Sequence, residues 1–178
     1  MRPDVLFFAR RAKIGCVSGL VGGFAIFVSI FIIDLSLGSS QGTFYKAVGL
    51  PLGVSGLGAT LFGMMSHMLT AALIGTVFGL GSCAHRLLDI QSVKKGALAG
   101  VVTGMVVFAV FFMPMSAFLI LPAMQGMDTT ETVLLVSNME TIFVGALELH
   151  IVYGMVMGAF FAIAVQIESK KQIVVEGV

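Results

Sequence analysis

The sequence predicts an all-α integral membrane protein, a four-transmembrane-helix bundle formed by tandem duplication of a two-helix hairpin. Three observations predict it: an apolar composition, four apolar runs long enough to cross a bilayer, and a matched pattern of small residues and histidines in the two halves. Of the 178 residues, 58% are hydrophobic and only 11% are charged, and the mean hydropathy is +1.07. Soluble domains carry about a quarter charged residues, so lipid is the expected solvent for most of this chain. The charges cluster between the apolar runs and leave no stretch for a sizeable extramembrane domain, so 1–178 is read as a single membrane domain.

The spans are expected at approximately 14–35, 59–81, 96–121 and 141–166. At a rise of about 1.5 Å per residue, each covers the ~30 Å hydrocarbon core. The runs show no strand-like alternation, and in lipid the backbone must close its own hydrogen bonds, so helices are expected and a barrel is not. Ahead of the first span, Pro3, Val5, Leu6, Phe7 and Phe8 with Arg10, Arg11 and Lys13 are expected to form a short interfacial helix with snorkelling basic side chains. A signal peptide is the alternative for this region. The apolar run is longer than the usual h-region of roughly 7–15 residues, and it has an internal counterpart, so it is expected to stay.

The first loop, with Gly49, Gly53, Gly56 and Gly58 around Pro51, is expected to cap the bundle. The third span carries Pro114, which is expected to kink it by removing a backbone donor. Asp128, Thr129, Thr130 and Glu131 resemble a helix start, so a short surface helix is expected over Asp128 to Ser137. Nine of the ten Lys and Arg fall on one side: Arg2, Arg10, Arg11, Lys13, Arg86, Lys94, Lys95, Lys170 and Lys171, against Lys46 alone on the other. The positive-inside rule then puts both termini on the cytoplasmic side, and the cell membrane is the expected location.

The duplication is expected over approximately 13–88 and 94–171. Gly15, Gly19, Gly23, Phe27 and Phe31 recur 81 positions later as Gly96, Gly100, Gly104, Phe108 and Phe112. Gly63, His67, Ala71, Gly75 and Gly79 recur 83 positions later as Ala146, His150, Gly154, Gly158 and Ala162. Small residues four apart share a helix face and allow close approach, so these rows are expected to be the packing ridges. Two spans per repeat put both copies in from the same side, with the pseudo-twofold axis along the membrane normal.

His67 and His150 form the candidate intramembrane polar site, with Glu148 beside it, because imidazoles facing lipid would be costly. Interhelical hydrogen bonding is the plainer role for them. Glu148 lies two residues from His150, about 200° around the helix, so the two cannot chelate one ion from one face. Among the 12 methionines, Met64, Met65 and Met68 flank His67, and Met155 and Met157 follow His150. Thioethers with imidazoles suit copper(I), so His67, His150, Met64 and Met68 are weak metal candidates, with copper or zinc as the alternative to the expectation of no cofactor. Equally, methionine fills gaps in apolar packing. Cys16 and Cys83 lack a CxxC partner and are read as packing residues.

A net charge of +1 argues against nucleic acid, and the absence of a Walker A loop, a GxSxG elbow or a GxGxxG turn after a strand argues against nucleotide binding and soluble-type catalysis. The leading expectation is therefore a non-catalytic accessory or structural subunit, in contact with lipid and with other membrane subunits in a homo- or hetero-oligomer. Two other classes fit the same residues: a small transporter or channel with a His67–His150 relay for protons or metal, and a copper-supporting component of a membrane oxidase.

Overall fold

The computed structural model describes residues 3–36, 38, 40–84, 88–122 and 139–176. They form α1 (Pro3–Ser36), α2 (Thr43–Gly49) with a 3-10 turn at Leu50–Leu52, α3 (Gly56–Gly81), α4 (Val93–Val107) and α5 (Met139–Glu176). Four helices are long and apolar enough to cross a membrane: Val5–Ser36, Gly56–Gly81, Val93–Ile120 and Ile142–Lys170. The protein is thus an all-α integral membrane bundle. The surface helix expected at Asp128 to Ser137 lies outside the described residues.

Two details add to the sequence expectation. The short amphipathic helix expected before the first span is continuous with it, because nothing between Pro3 and Ser36 breaks the backbone ladder. Around Pro114 the third span changes its hydrogen-bond pattern. The helix begun by α4 continues through a π-turn at Phe108–Phe112, a short α-turn at Met113–Met115 and a second π-turn at Ser116–Ile120. The Met113 amide donates to the Phe108 carbonyl, an i→i−5 bond. A proline inside a helix strands a carbonyl and crowds the turn before it; widening the neighbouring turns relieves this without ending the helix.

Glycine decides which helices touch. A Cβ added to Gly15 or Gly19 would collide with the backbone carbonyl of Gly75 or Ala71, and one on Gly79 with that of Arg11, so α1 and α3 meet backbone to backbone. The α4–α5 seam is built alike: Gly96 abuts Gly158, Gly100 abuts Gly154, and Gly104 abuts His150. The two hairpins also share one register, since Gly15 opposite Gly75 maps onto Gly96 opposite Gly158 at offsets of 81 and 83. Gly63 packs on the Tyr45 carbonyl of α2.

The hairpins join along α1 and α5. Gly22 lies under Tyr153 and Met157, with the buried Ser18 and Ile26 one turn to either side. Across the bundle diagonal, Phe78 of α3 meets Phe161 of α5 edge-on at 5.4 Å, and the Tyr153 hydroxyl donates to the Ala71 carbonyl at 2.9 Å. At the basic end, Ile90 is buried among Phe78, Phe161, Ala162 and Val165. Gln166 Nε2 donates to the Gln91 carbonyl at 3.0 Å, and Arg11 pairs with Asp89 at 3.5 Å, so the α3–α4 connection is tied to both α1 and α5.

The remaining seam stays open. α3 and α4 do not close on each other and flank an apolar groove of about 870 Å³, walled by Leu73, Val77, Leu98 and Val102 among others.

Candidate functional site

At the end of the bundle away from most basic residues, all five helices enclose a chamber of about 180 Å³. Its position follows from the ridges. Glycine draws each hairpin together, and beyond Gly23 and Gly104 the rows continue as Phe27 and Phe31, which pack on Tyr45, and Phe108 and Phe112, which pack on His150. His67 and His150 are among the chamber walls.

α2 roofs it. Asp34, only 1% exposed at the end of α1, accepts hydrogen bonds from the Gly42 amide at 2.8 Å and the Phe44 amide at 3.3 Å. A carboxylate at the first amides of a helix satisfies groups that the helix cannot, and favours the positive end of its dipole. Gly42 permits the approach because its φ of +88° is open to glycine and to few other residues. Anchored there, α2 lays Tyr45 against Phe27, Phe31 and His67, with centroid distances of 5.6, 5.9 and 5.6 Å. The helix α2 lies within the stretch expected as a loop capping the bundle. The aspartate eight residues before a glycine-threonine pair was the available signal.

The two histidines are held differently. His150 Nδ1 lies 2.6 Å from the Ala146 carbonyl, and its ring packs on Phe108 and Phe112 at 5.5 and 5.1 Å. A carbonyl only accepts, so Nδ1 carries the proton of this bond. His67 leans on the Gly23 backbone of α1 and lies within electrostatic reach of His150, while its Nε2 is buried with no hydrogen-bond partner among the described residues.

The Tyr45 hydroxyl is likewise buried and unpartnered, in a residue only 1% exposed. Burial first, and the Asp34 carboxylate second, push its pKa well above the ordinary tyrosine range, so it is a neutral donor. Among the described residues, the Tyr45 hydroxyl and His67 Nε2 therefore stand without partners, both sealed within the packing. Each such group costs about 1–3 kcal/mol if nothing satisfies it.

The other expected site residues fall elsewhere. Glu148 is exposed on α5 and is not among the described chamber walls, as its angle from His150 requires. Met115 lines the chamber, whereas Met64 and Met68 do not, and Met68 Sδ packs near Gly23. Among the described residues, no three His, Cys, Asp or Glu side chains cluster as metal ligands. Cys16 and Cys83 are half-buried free thiols.

Chamber and groove share walls. Thr70, Ile74, Val107 and Phe111 line both, so the chamber's side faces the open α3–α4 seam. No protein family, curated protein or solved structure matches the chain.

Proposed function

We propose that this is a non-catalytic membrane protein that takes a small lipid-soluble molecule sideways, through the α3–α4 seam, into the chamber between His67 and His150. The shared wall of Thr70, Ile74, Val107 and Phe111 carries the reading: it sets a polar pair behind an apolar doorway that faces lipid. The basic residues support an orientation with both termini in the cytoplasm of the cell membrane. The equal register of the hairpins, with His67 opposite His150 and Phe78 opposite Phe161, supports descent from a duplicated hairpin.

Thiol labelling tests it. With Cys16 and Cys83 replaced by Ala, the Ser66→Cys protein, substituted at a chamber wall, is expected to react with a bilayer-soluble maleimide and to resist a charged, impermeant one. Adding Val107→Trp at the doorway should slow the reaction at least about tenfold, a barrier change of ~1.4 kcal/mol. Equal labelling by the impermeant reagent would overturn lateral access and support a water-filled path, the transporter or channel reading.

The open seam favours a second reading, the accessory subunit. The glycine ridges are used inside the bundle, so the unfilled apolar face is the α3–α4 groove, the natural seat for a helix of another membrane subunit. A photocrosslinker at the exposed Val102 in native membranes separates the two: a defined protein adduct supports the subunit, lipid adducts alone oppose it.

A further inference from the structure

We infer that the α3–α4 groove seats one anionic phospholipid, with its tails along the groove and its phosphate at Lys95. The groove takes such a lipid whether or not anything reaches the chamber. Its layout is that of an amphiphile. Leu73 and Val77 on α3 and Leu98, Val102 and Val110 on the third span give it large apolar walls. The Ser82 and Thr103 hydroxyls are spent on the Gly79 and Ala99 carbonyls at 2.7 and 2.9 Å, so they offer a ligand little. Among the described groove walls Lys95 alone is charged, and it stands at the basic end. From Lys95 to Phe111, the last groove wall on the third span, the helix runs about 24 Å, more than the ~15 Å that one leaflet contributes to a ~30 Å hydrocarbon core. The tails of one leaflet fit along it.

Charge selects the head. The Lys95 ammonium donates to the Asp89 carbonyl at 2.6 Å, which holds it at the end of the groove. An ammonium has three donors, and this bond uses one. The Asp89 carboxylate, which would repel an anion, is engaged by Arg11 at 3.5 Å and by Gln91 at 2.8 Å. Lys94, exposed on the next position, adds to the same positive field. A phosphatidylcholine head brings its own cation and gains less from that field.

Side-chain size favours lipid over a helix of another subunit. Helices in a membrane approach one another through small residues, and here the glycine rows are used within the hairpins. The middle of the groove presents Leu73, Val77, Val102 and Val106, between which flexible tails fit more closely than a rigid helix does.

The experiment uses the purified full chain, stripped of lipid and titrated in detergent with dioleoylphosphatidylglycerol or dioleoylphosphatidylcholine. Native mass spectrometry counts the bound lipid. One phosphatidylglycerol is expected, at least about fivefold tighter than phosphatidylcholine, the scale of one lysine at an anionic lipid surface. Lys95→Gln should bring that ratio close to one and Lys95→Arg should keep it. Lys94→Gln, outside the described groove walls, should keep most of it. Val102→Trp, which fills the groove from an exposed position, should weaken both lipids at least about tenfold without lowering the thermal midpoint.

Equal losses at Lys94 and Lys95 would mean diffuse surface charge and overturn the headgroup assignment. Undiminished binding to the Val102→Trp protein would put the lipid elsewhere on the bundle. A protein adduct from a photocrosslinker at Val102, on a chain that binds no phosphatidylglycerol, would give the groove to another subunit instead.

Discussion

The α1–α5 seam is closed and the α3–α4 seam is open, although the sequence places equivalent residues along α1 and α4. Ser18, Gly22 and Ile26 on α1 correspond, 81 positions on, to Ala99, Thr103 and Val107 on α4. On the closed side, Gly22 lets α1 come close enough for Tyr153 to reach Ala71. At the equivalent place on α4, Thr103 spends its hydroxyl on the Ala99 carbonyl at 2.9 Å and holds its bulk at the groove wall. Within each hairpin the ridges are matched, and the seams between hairpins differ at Gly22 against Thr103 and, 83 positions apart, at Tyr153 against Thr70. The lesson is that a helix row four residues in period fixes partners inside a hairpin, and the neighbouring row decides how two hairpins meet.

The largest effect is expected where both halves agree. Gly100→Val would drive a side chain into the Gly154 carbonyl and should prevent accumulation of folded protein, as should Gly19→Val against Ala71. Fluorescence-detected size exclusion reads this directly. A monodisperse Gly100→Val protein with unchanged melting would mean that the ridges do not carry the seam.

Next comes the closed seam itself. An added Cβ at Gly22 would lie 2.9 Å from the Tyr153 carbonyl and 3.1 Å from Met157 Cβ, so Gly22→Thr should cost about 2–3 kcal/mol and lower the thermal midpoint. Thr103→Gly, the reverse change on the open side, should cost less than about 1 kcal/mol, since glycine is only a few tenths poorer than threonine in a helix. Equal losses at the two positions would undo the comparison. Tyr153→Phe removes a hydrogen bond between hairpins and should cost ~1 kcal/mol. Smallest of all, Leu98→Ala on the exposed groove wall should stay within about 0.5 kcal/mol, since most of its side chain is already outside the core.

The four spans, both glycine rows and the two histidines were legible in the sequence because each is written in long, repeated patterns that need no knowledge of distant partners. The chamber was legible only in part. The histidine pair was found, and the angular argument that set Glu148 apart from His150 agrees with the exposed position of Glu148. Tyr45 was missed because α2 has seven residues and no period of its own; its placement depends on Asp34 and Gly63, which lie on other elements. Gly22 was passed over because it is off the four-residue row. The open seam follows from a difference between halves, which a search for likeness does not reveal.

The π-turns of the third span have one more effect. Four residues of an ideal α-helix overshoot a full turn by about 40°, so a row at every fourth position winds steadily around the axis. In α1 the row is buried only at its start, at Gly15, Gly19 and Gly23, and the neighbouring row of Ser18, Gly22, Ile26, Ile30 and Asp34 takes over. Along the third span one row, Gly96, Gly100, Gly104, Phe112, Ser116 and Ile120, stays buried to the far end. Turns closed by i→i+5 bonds pack more residues per revolution and cancel the drift. The unwinding acts as a gear change: one long helix keeps a single edge turned inward, from the glycines at the basic end to the aromatic wall of the chamber.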